Sequence, residues 1–174
     1  KLGDGEVTGD VARLRAVREA IGPSVRLRGD ANGAWSVRDA LAALEAFAPF
    51  DLEYVEQPGA AHDIDGMAEL RRHAAVQVAA DESVASEHGM LRLVAAGAAD
   101  VVVLKPAALG GPGRALELAS LARQAGMRVV VTHAFESAVG AGHALHCAAA
   151  WGDVEGIHGL VTAGLFEVDV AEPP

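Results

Sequence analysis

Residues 100–106 read DVVVLKP: Asp100, three valines and Leu104, then Lys105 and Pro106. A continuous apolar run, with no polar residue alternating through it, fits a strand buried on both faces of a helix-covered parallel sheet. The form recurs on either side. VRLRGD (25–30), LEYVEQP (52–58), VQVAADES (76–83) and RVVVTH (128–133) are further runs that end on polar residues, and GIHGL (156–160) is a weaker one. Helical patterns lie between them. Val11, Leu14, Val17 and Ile21 fall at helical spacing, with Asp10 as the expected N-cap and Gly22-Pro23 as the stop. Val37, Leu41, Leu44 and Phe47 follow the cap candidate Ser36, and Pro49 ends that pattern. Residues 64–73, 90–96, 115–125 and 138–149 supply four more.

Strands that alternate with helices are parallel strands joined by helical crossovers. The polar residues at the strand ends are evenly spaced. Asp30 to Glu56 is 26 residues, Glu56 to Asp81 is 25, Asp81 to Lys105 is 24 and Lys105 to His133 is 28. In a (β/α)8 barrel such ends converge on one mouth. In an open doubly wound sheet they spread along an edge, and the three acids would then lie too far apart to share an ion. The barrel is the favoured reading. Six strands, with the end of a seventh at Lys1, fall short of the roughly 250 residues of a complete barrel. The expectation is therefore an α/β chain, residues 1–174, forming one domain that is the C-terminal part of a barrel. The first strand-helix unit and a capping domain would be absent from it, and an N-terminal segment or another chain would complete the ring.

Composition excludes several classes. Apolar residues make up 51% of the chain, too many for a disordered tail. The formal charge of −10 argues against nucleic acid, whose phosphates need clustered Lys and Arg. No apolar run approaches the roughly 18 residues of a membrane span. No leader peptide is visible, and the single Cys147 cannot form an internal disulfide, so a soluble cytoplasmic protein is expected.

Asp30, Glu56 and Asp81 are the central observation: three carboxylates at the ends of three successive strands. Hard divalent cations such as Mg2+ take oxygen ligands, and three carboxylates with waters or substrate oxygens can complete an octahedron. The competing reading makes each acid a loop residue or a helix cap. Their contexts, DANGAW (30–35), EYVEQP (53–58) and AADES (79–83), resemble the enolase superfamily in its muconate-lactonizing-enzyme subgroup. That resemblance covers nearly the whole chain. It implies that Asp30, Glu56 and Asp81 bind one Mg2+, with Mn2+ as the alternative ion, and that Asn32 and Glu82 orient the ligands and nearby cations. It also implies two lysines. Lys1, followed by Leu2-Gly3, is similar to the second Lys of the family's K-x-K pair, and Lys105 to the Lys of its sixth strand. The alternatives are a solvated chain end for Lys1 and a snorkelling strand-end side chain for Lys105. In that superfamily a Lys or His base removes a proton α to a carboxylate while the metal stabilises the developing charge.

KPAALGG (105–111), VTHAFESAVG (131–140) and HGLVTAGLF (158–166), with Asp169 beyond, resemble the branch of the subgroup that eliminates water to form 2-succinylbenzoate, a step toward menaquinone or phylloquinone. On that resemblance the protein is a Mg2+-dependent hydro-lyase acting on a small carboxylate. Lys1 takes the α-proton and returns it to the leaving hydroxyl, and Lys105 faces the opposite side of the ring as a cationic partner. Ser137 and the backbone N–H groups near Gly110, Gly111 and Gly159 are candidates for the succinyl carboxylate. His133 stands where many relatives carry Ser. It either contacts the substrate or bonds its own backbone, and racemases of the wider family place a base there. An N-acylamino-acid racemase or dipeptide epimerase is the alternative, and a non-catalytic barrel fragment or partner subunit is a further one. His143, His146 and Cys147 lack the four ligands of a structural zinc site and read as solvated or core-edge residues. Trp35 and Trp151 read as packing anchors.

Overall fold

In a computed structural model, residues 1–152, 157–160 and 167–172 are described. The VTAGLF end of the HGLVTAGLF motif and Gly156 lie outside them. Helix α1 (Val7–Ile21) leads into β1 (Leu27–Asp30), α2 (Val37–Phe47), β2 (Leu52–Glu56) and α3 (Ile64–His73). There follow β3 (Val78–Ala80), α4 (Glu87–Ala96), β4 (Val101–Leu104), α5 (Pro112–Gln124), β5 (Arg128–Val131) and α6 (Ala138–Trp151). The five strands form one parallel sheet in sequential order, the topology of an arc of a (β/α) barrel.

The local chemistry accounts for most boundaries. Ser36, Asp63 and Ser86 cap α2, α3 and α4 by accepting the N–H of Asp39, Gly66 and Gly89. Pro112 starts α5 at a position where its missing N–H costs nothing. Gly97, in the left-handed region, ends α4. Leu44, Phe47, Met67, Leu70, Met90 and Leu93 are fully buried and belong to one apolar cluster with Val55, Val78 and Val102 of the sheet.

Three expectations need correction. Helix α1 starts at Val7 rather than after Asp10, which is not a cap: its carboxylate is buried and binds Gly3 and Arg13. The expected sixth strand is a single bridge, Gly159 to Thr132, among the described residues. No strand is assigned at Lys1. What remains of the expected pairing is one bond, Leu2 N–H to the Asp30 carbonyl at 2.9 Å, along the outer edge of β1. Among the described residues, neither segment makes the run of consecutive ladder bonds that a regular strand requires.

Candidate active site

Strand alternation decides which charges meet. Tyr54, Ala79, Val101, Val103 and Val130 cluster on the face of the sheet away from the helices, while Val55, Val78, Ala80, Val102 and Val129 belong to the helix-packed core. Successive side chains point to opposite faces. Glu56, Asp81 and Lys105 each lie two residues beyond a member of the inner cluster, and so continue its row. Asp30 is in register with Glu56. Two residues before it, the Arg28 guanidinium lies 4.9 Å from the centre of the inner Tyr54 ring.

Two ammonium groups flank the acids. Lys1 Nζ pairs with Asp30 Oδ2 and donates to Asn32 Oδ1 at 2.6 Å. Asn32, with φ +45°, donates its backbone N–H to Asp30 Oδ1 at 2.9 Å and its side-chain amide to Glu82 Oε1 at 3.0 Å. On the far side Lys105 Nζ pairs with Asp81 Oδ2. Glu56 sits between. Burial, then the charges of Asp81 and Asp30 and a hydrogen bond with Asp81, push its pKa up to about 8, against the opposing charge of Lys105. For Lys105 burial pulls the pKa down, but the bond and charge of Asp81, with Glu56 and Glu82, outweigh it and raise it overall. Lys105 is thus held as a cation.

The donor set is hard oxygen in a surplus of negative charge, the chemistry that a divalent cation such as Mg2+ fits. The acids do not stand as a ready-made cage: among the described residues no group of three or more His, Cys, Asp or Glu is arranged to hold a metal ion. Asp30 and Asp81 turn oxygens to the two ammoniums instead.

The sequence reading missed two residues that act on this rim. Buried Asp10 accepts Gly3 N–H at 2.8 Å and Arg13 Nη1 at 2.7 Å, and the same Arg13 nitrogen donates to the Lys1 carbonyl at 2.7 Å. Together with the Leu2–Asp30 bond, this ties three consecutive backbone units from Lys1 to Gly3. Asp followed three residues later by Arg on a helix is an ordinary surface pair, so the sequence carried no signal of it.

The sequence model of the family described as Enolase C-terminal domain-like matches residues 1–171. The chain belongs to that family. An o-succinylbenzoate synthase of Thermobifida fusca is 46% identical over 165 residues, which is 95% of this chain and 50% of the relative. Among solved structures, a muconate lactonizing enzyme from Pseudomonas fluorescens complexed with muconolactone superposes with a TM-score of 0.94 at 31% identity, over 100% of this chain and 47% of that one. A dipeptide epimerase from Enterococcus faecalis, complexed with Mg and a dipeptide, does so with a TM-score of 0.85 at 34% identity, over 94% of this chain and 48% of that one. The chain spans about half the length of the curated relatives it matches.

In this enolase-family arc the remaining candidates fall apart from the carboxylates. The N–H groups of Gly110 and Gly111 donate to the carbonyls of Ala107 and Pro106, and that of Gly159 to Val131. They are turn and bridge donors already engaged by backbone, with φ +92° and +120° at the first two. Ser137 precedes α6 without capping it. The Asp169 carboxylate takes the Ala138 N–H at 2.8 Å instead, so an acid already holds the helix end proposed for an anion. His133 is buried, its Nδ1 2.6 Å from the Ala134 carbonyl, the backbone-bonded alternative. His143 and His146 are exposed on α6 and Cys147 is buried, its thiol pushed up by burial.

Cavities of about 180 Å³, beside Asp81, Glu82 and Lys105, and about 460 Å³, beside Lys1, Asp4 and Asn32, flank the acids. A larger one, about 570 Å³, opens at the opposite rim among Arg26, Arg28, Glu53 and Arg128. Size alone would favour that one. Its three arginines all pair with Glu53, whereas the smaller cavities at the strand ends are lined by the two lysines, with Asp81 beside Lys105, and those are the better candidates. No helix among the described residues is long and apolar enough to cross a membrane.

Proposed function

We propose that this chain is the barrel part of a divalent-cation-dependent hydro-lyase that removes a proton α to a carboxylate and eliminates water to give 2-succinylbenzoate. One observation carries the reading: three strand-end acids flanked by two ammoniums on opposite sides of one rim. The identity to o-succinylbenzoate synthases supports the substrate class.

Asp30, Glu56 and Asp81 would hold Mg2+ or Mn2+, which when bound supplies positive charge against the negative charge that develops on the substrate carboxylate. Lys1 Nζ, as the neutral amine, takes the α-proton and, as the ammonium so formed, gives a proton to the departing hydroxyl, so that one group serves as base and then acid. Asn32 holds Lys1 through its Oδ1 and is itself fixed by Glu82. Lys105, kept protonated by its acidic surroundings, faces the other side of the ring as a fixed positive charge.

The test is turnover of 2-succinyl-6-hydroxy-2,4-cyclohexadiene-1-carboxylate by the full-length gene product, with and without EDTA, in wild type and Lys105→Ala. The expected result is loss of turnover with EDTA and a decrease of roughly 10²-fold or more in the variant. Activity that survives both would overturn the reading. An epimerase is the second reading, favoured by two lysines on opposite flanks and by the dipeptide epimerase likeness. It predicts exchange of a dipeptide α-hydrogen with solvent deuterium without loss of water.

A further inference from the structure

Gln57 is fully buried at the end of β2, directly after Glu56, and its φ is +40°. Buried amides are retained where their hydrogen bonds are met, and this one meets them on loops that carry the acids. Its Oε1 accepts the backbone N–H of Asp81 at 3.1 Å and of Ser83 at 3.2 Å. Its Nε2 donates to the Gly59 carbonyl at 2.8 Å and to Ser83 Oγ at 2.9 Å, and Ser83 Oγ donates on to the Ala61 carbonyl at 2.9 Å. Its backbone works toward both neighbours. Gln57 N–H donates to the Ala79 carbonyl at 2.8 Å, and the Gln57 carbonyl accepts Gly33 N–H at 2.7 Å, from the loop that follows Asp30.

One residue therefore bonds the segments after β1, β2 and β3, the three that carry Asp30, Glu56 and Asp81. Three carboxylates gathered to hold one cation repel one another, which favours wider spacing of the loops that carry them. A neutral buried amide at the centre opposes that spreading and adds no further charge. We infer that Gln57, with Ser83 as its anchor, is a positioning residue that sets the spacing of the three carboxylates and thereby their affinity for a divalent cation. This rests on the reading of those acids as a cation site.

Mg2+ titration calorimetry on the full-length gene product tests it, with the melting temperature recorded with and without Mg2+. Partners that orient ligands typically change metal affinity on the order of 10–100-fold when removed. Gln57→Met keeps the size and removes the amide, and is expected to raise the Mg2+ Kd about tenfold or more. Ser83→Ala removes only the anchor and keeps the fold within reach if Gln57→Met does not fold. Its expected rise is about threefold or more, with a smaller Mg2+-induced gain in melting temperature at fixed Mg2+. A purely structural role would lower the metal-free melting temperature and leave Kd unchanged, and an unchanged Kd in Ser83→Ala overturns the inference. Wild type that binds no Mg2+ overturns the cation-site reading itself, a result distinct from equal binding by wild type and variants.

Discussion

Glu56 is the residue on which pH acts most directly. With its pKa at about 8 in the folded chain against the ordinary 4.5 of a glutamate carboxyl, the folded state keeps a proton that the unfolded chain has lost. The sign follows. The stabilisation is complete below about pH 4.5, decreases as pH rises, and is gone once pH passes the folded value. Metal-free protein should lose on the order of a few kcal/mol across that window, read by urea unfolding at pH 5 and pH 8 in EDTA. Glu56→Gln should flatten the trend. If Glu56 is a ligand of the proposed cation, Mg2+ binding near pH 7 should release roughly one proton, because a carboxylate binds a cation only when deprotonated. Calorimetry in two buffers of different ionisation enthalpy would show it, and equal apparent heats would refute it. Strand-end acids were legible as residues. Their mutual effect was not, because it arises from burial beside one another.

At the scale of elements, α1 does more than cover the sheet. Only Leu14 of its expected apolar row is fully buried, and Val17 is exposed, since α1 lies at the edge with the sheet on one side. What the helix provides is Asp10 and Arg13, which hold the backbone from Lys1 to Gly3. If Lys1 is the base, Arg13→Ala should lower kcat roughly tenfold or more while leaving the Mg2+ Kd near wild type, with partial rescue by Arg13→Lys. Equal losses in both quantities would place the effect in the fold instead. The capped helices show where local signals suffice. Ser36 caps α2 as its sequence predicts, and Ile64–His73 is helical over the span its pattern outlines. Asp10 shows where they fail: an acid before an apolar row has the form of a cap, yet its partners come from a segment that folds back onto the helix.

For the molecule as a whole, charge pairs at the rim opposite the acids join both neighbouring strands and strands that are not neighbours in the sheet. Glu53 accepts Arg28 Nε at 2.7 Å and Arg128 Nη1 at 2.9 Å, linking β2 to both β1 and β5. Arg128 also reaches Gln77 at 2.7 Å and Arg28 the Ile157 carbonyl at 2.9 Å. Burial tends to raise the Glu53 pKa, but Arg28 and Arg128 outweigh it and lower it overall. Its contribution is therefore present above 4.5 and lost as pH falls through the lowered folded value. Glu53→Gln should cost about 1–2 kcal/mol at pH 7, a figure reduced for the partly exposed arginines. Acid unfolding should become shallower in the same variant. A cost within about 0.3 kcal/mol of zero would show that the sheet needs no such link.

The order of strands and helices, the parallel sheet and the charged residues at the strand ends are all carried by the linear sequence. They depend on apolar periodicity and on turn and cap chemistry, which act over a few residues. Trp35 against Phe47 and Trp151 against Arg123 likewise take the packing roles their residue types suggest. Tertiary structure alone decided which groups distant in sequence share a hydrogen bond. It gave Gln57 its three loops, tied Asp10 to Gly3, and engaged the N–H groups of Gly110, Gly111 and Gly159 with backbone carbonyls. A buried polar group must find a partner wherever the folded chain brings one. That partner is set by how the strand ends converge, which no short stretch of sequence records.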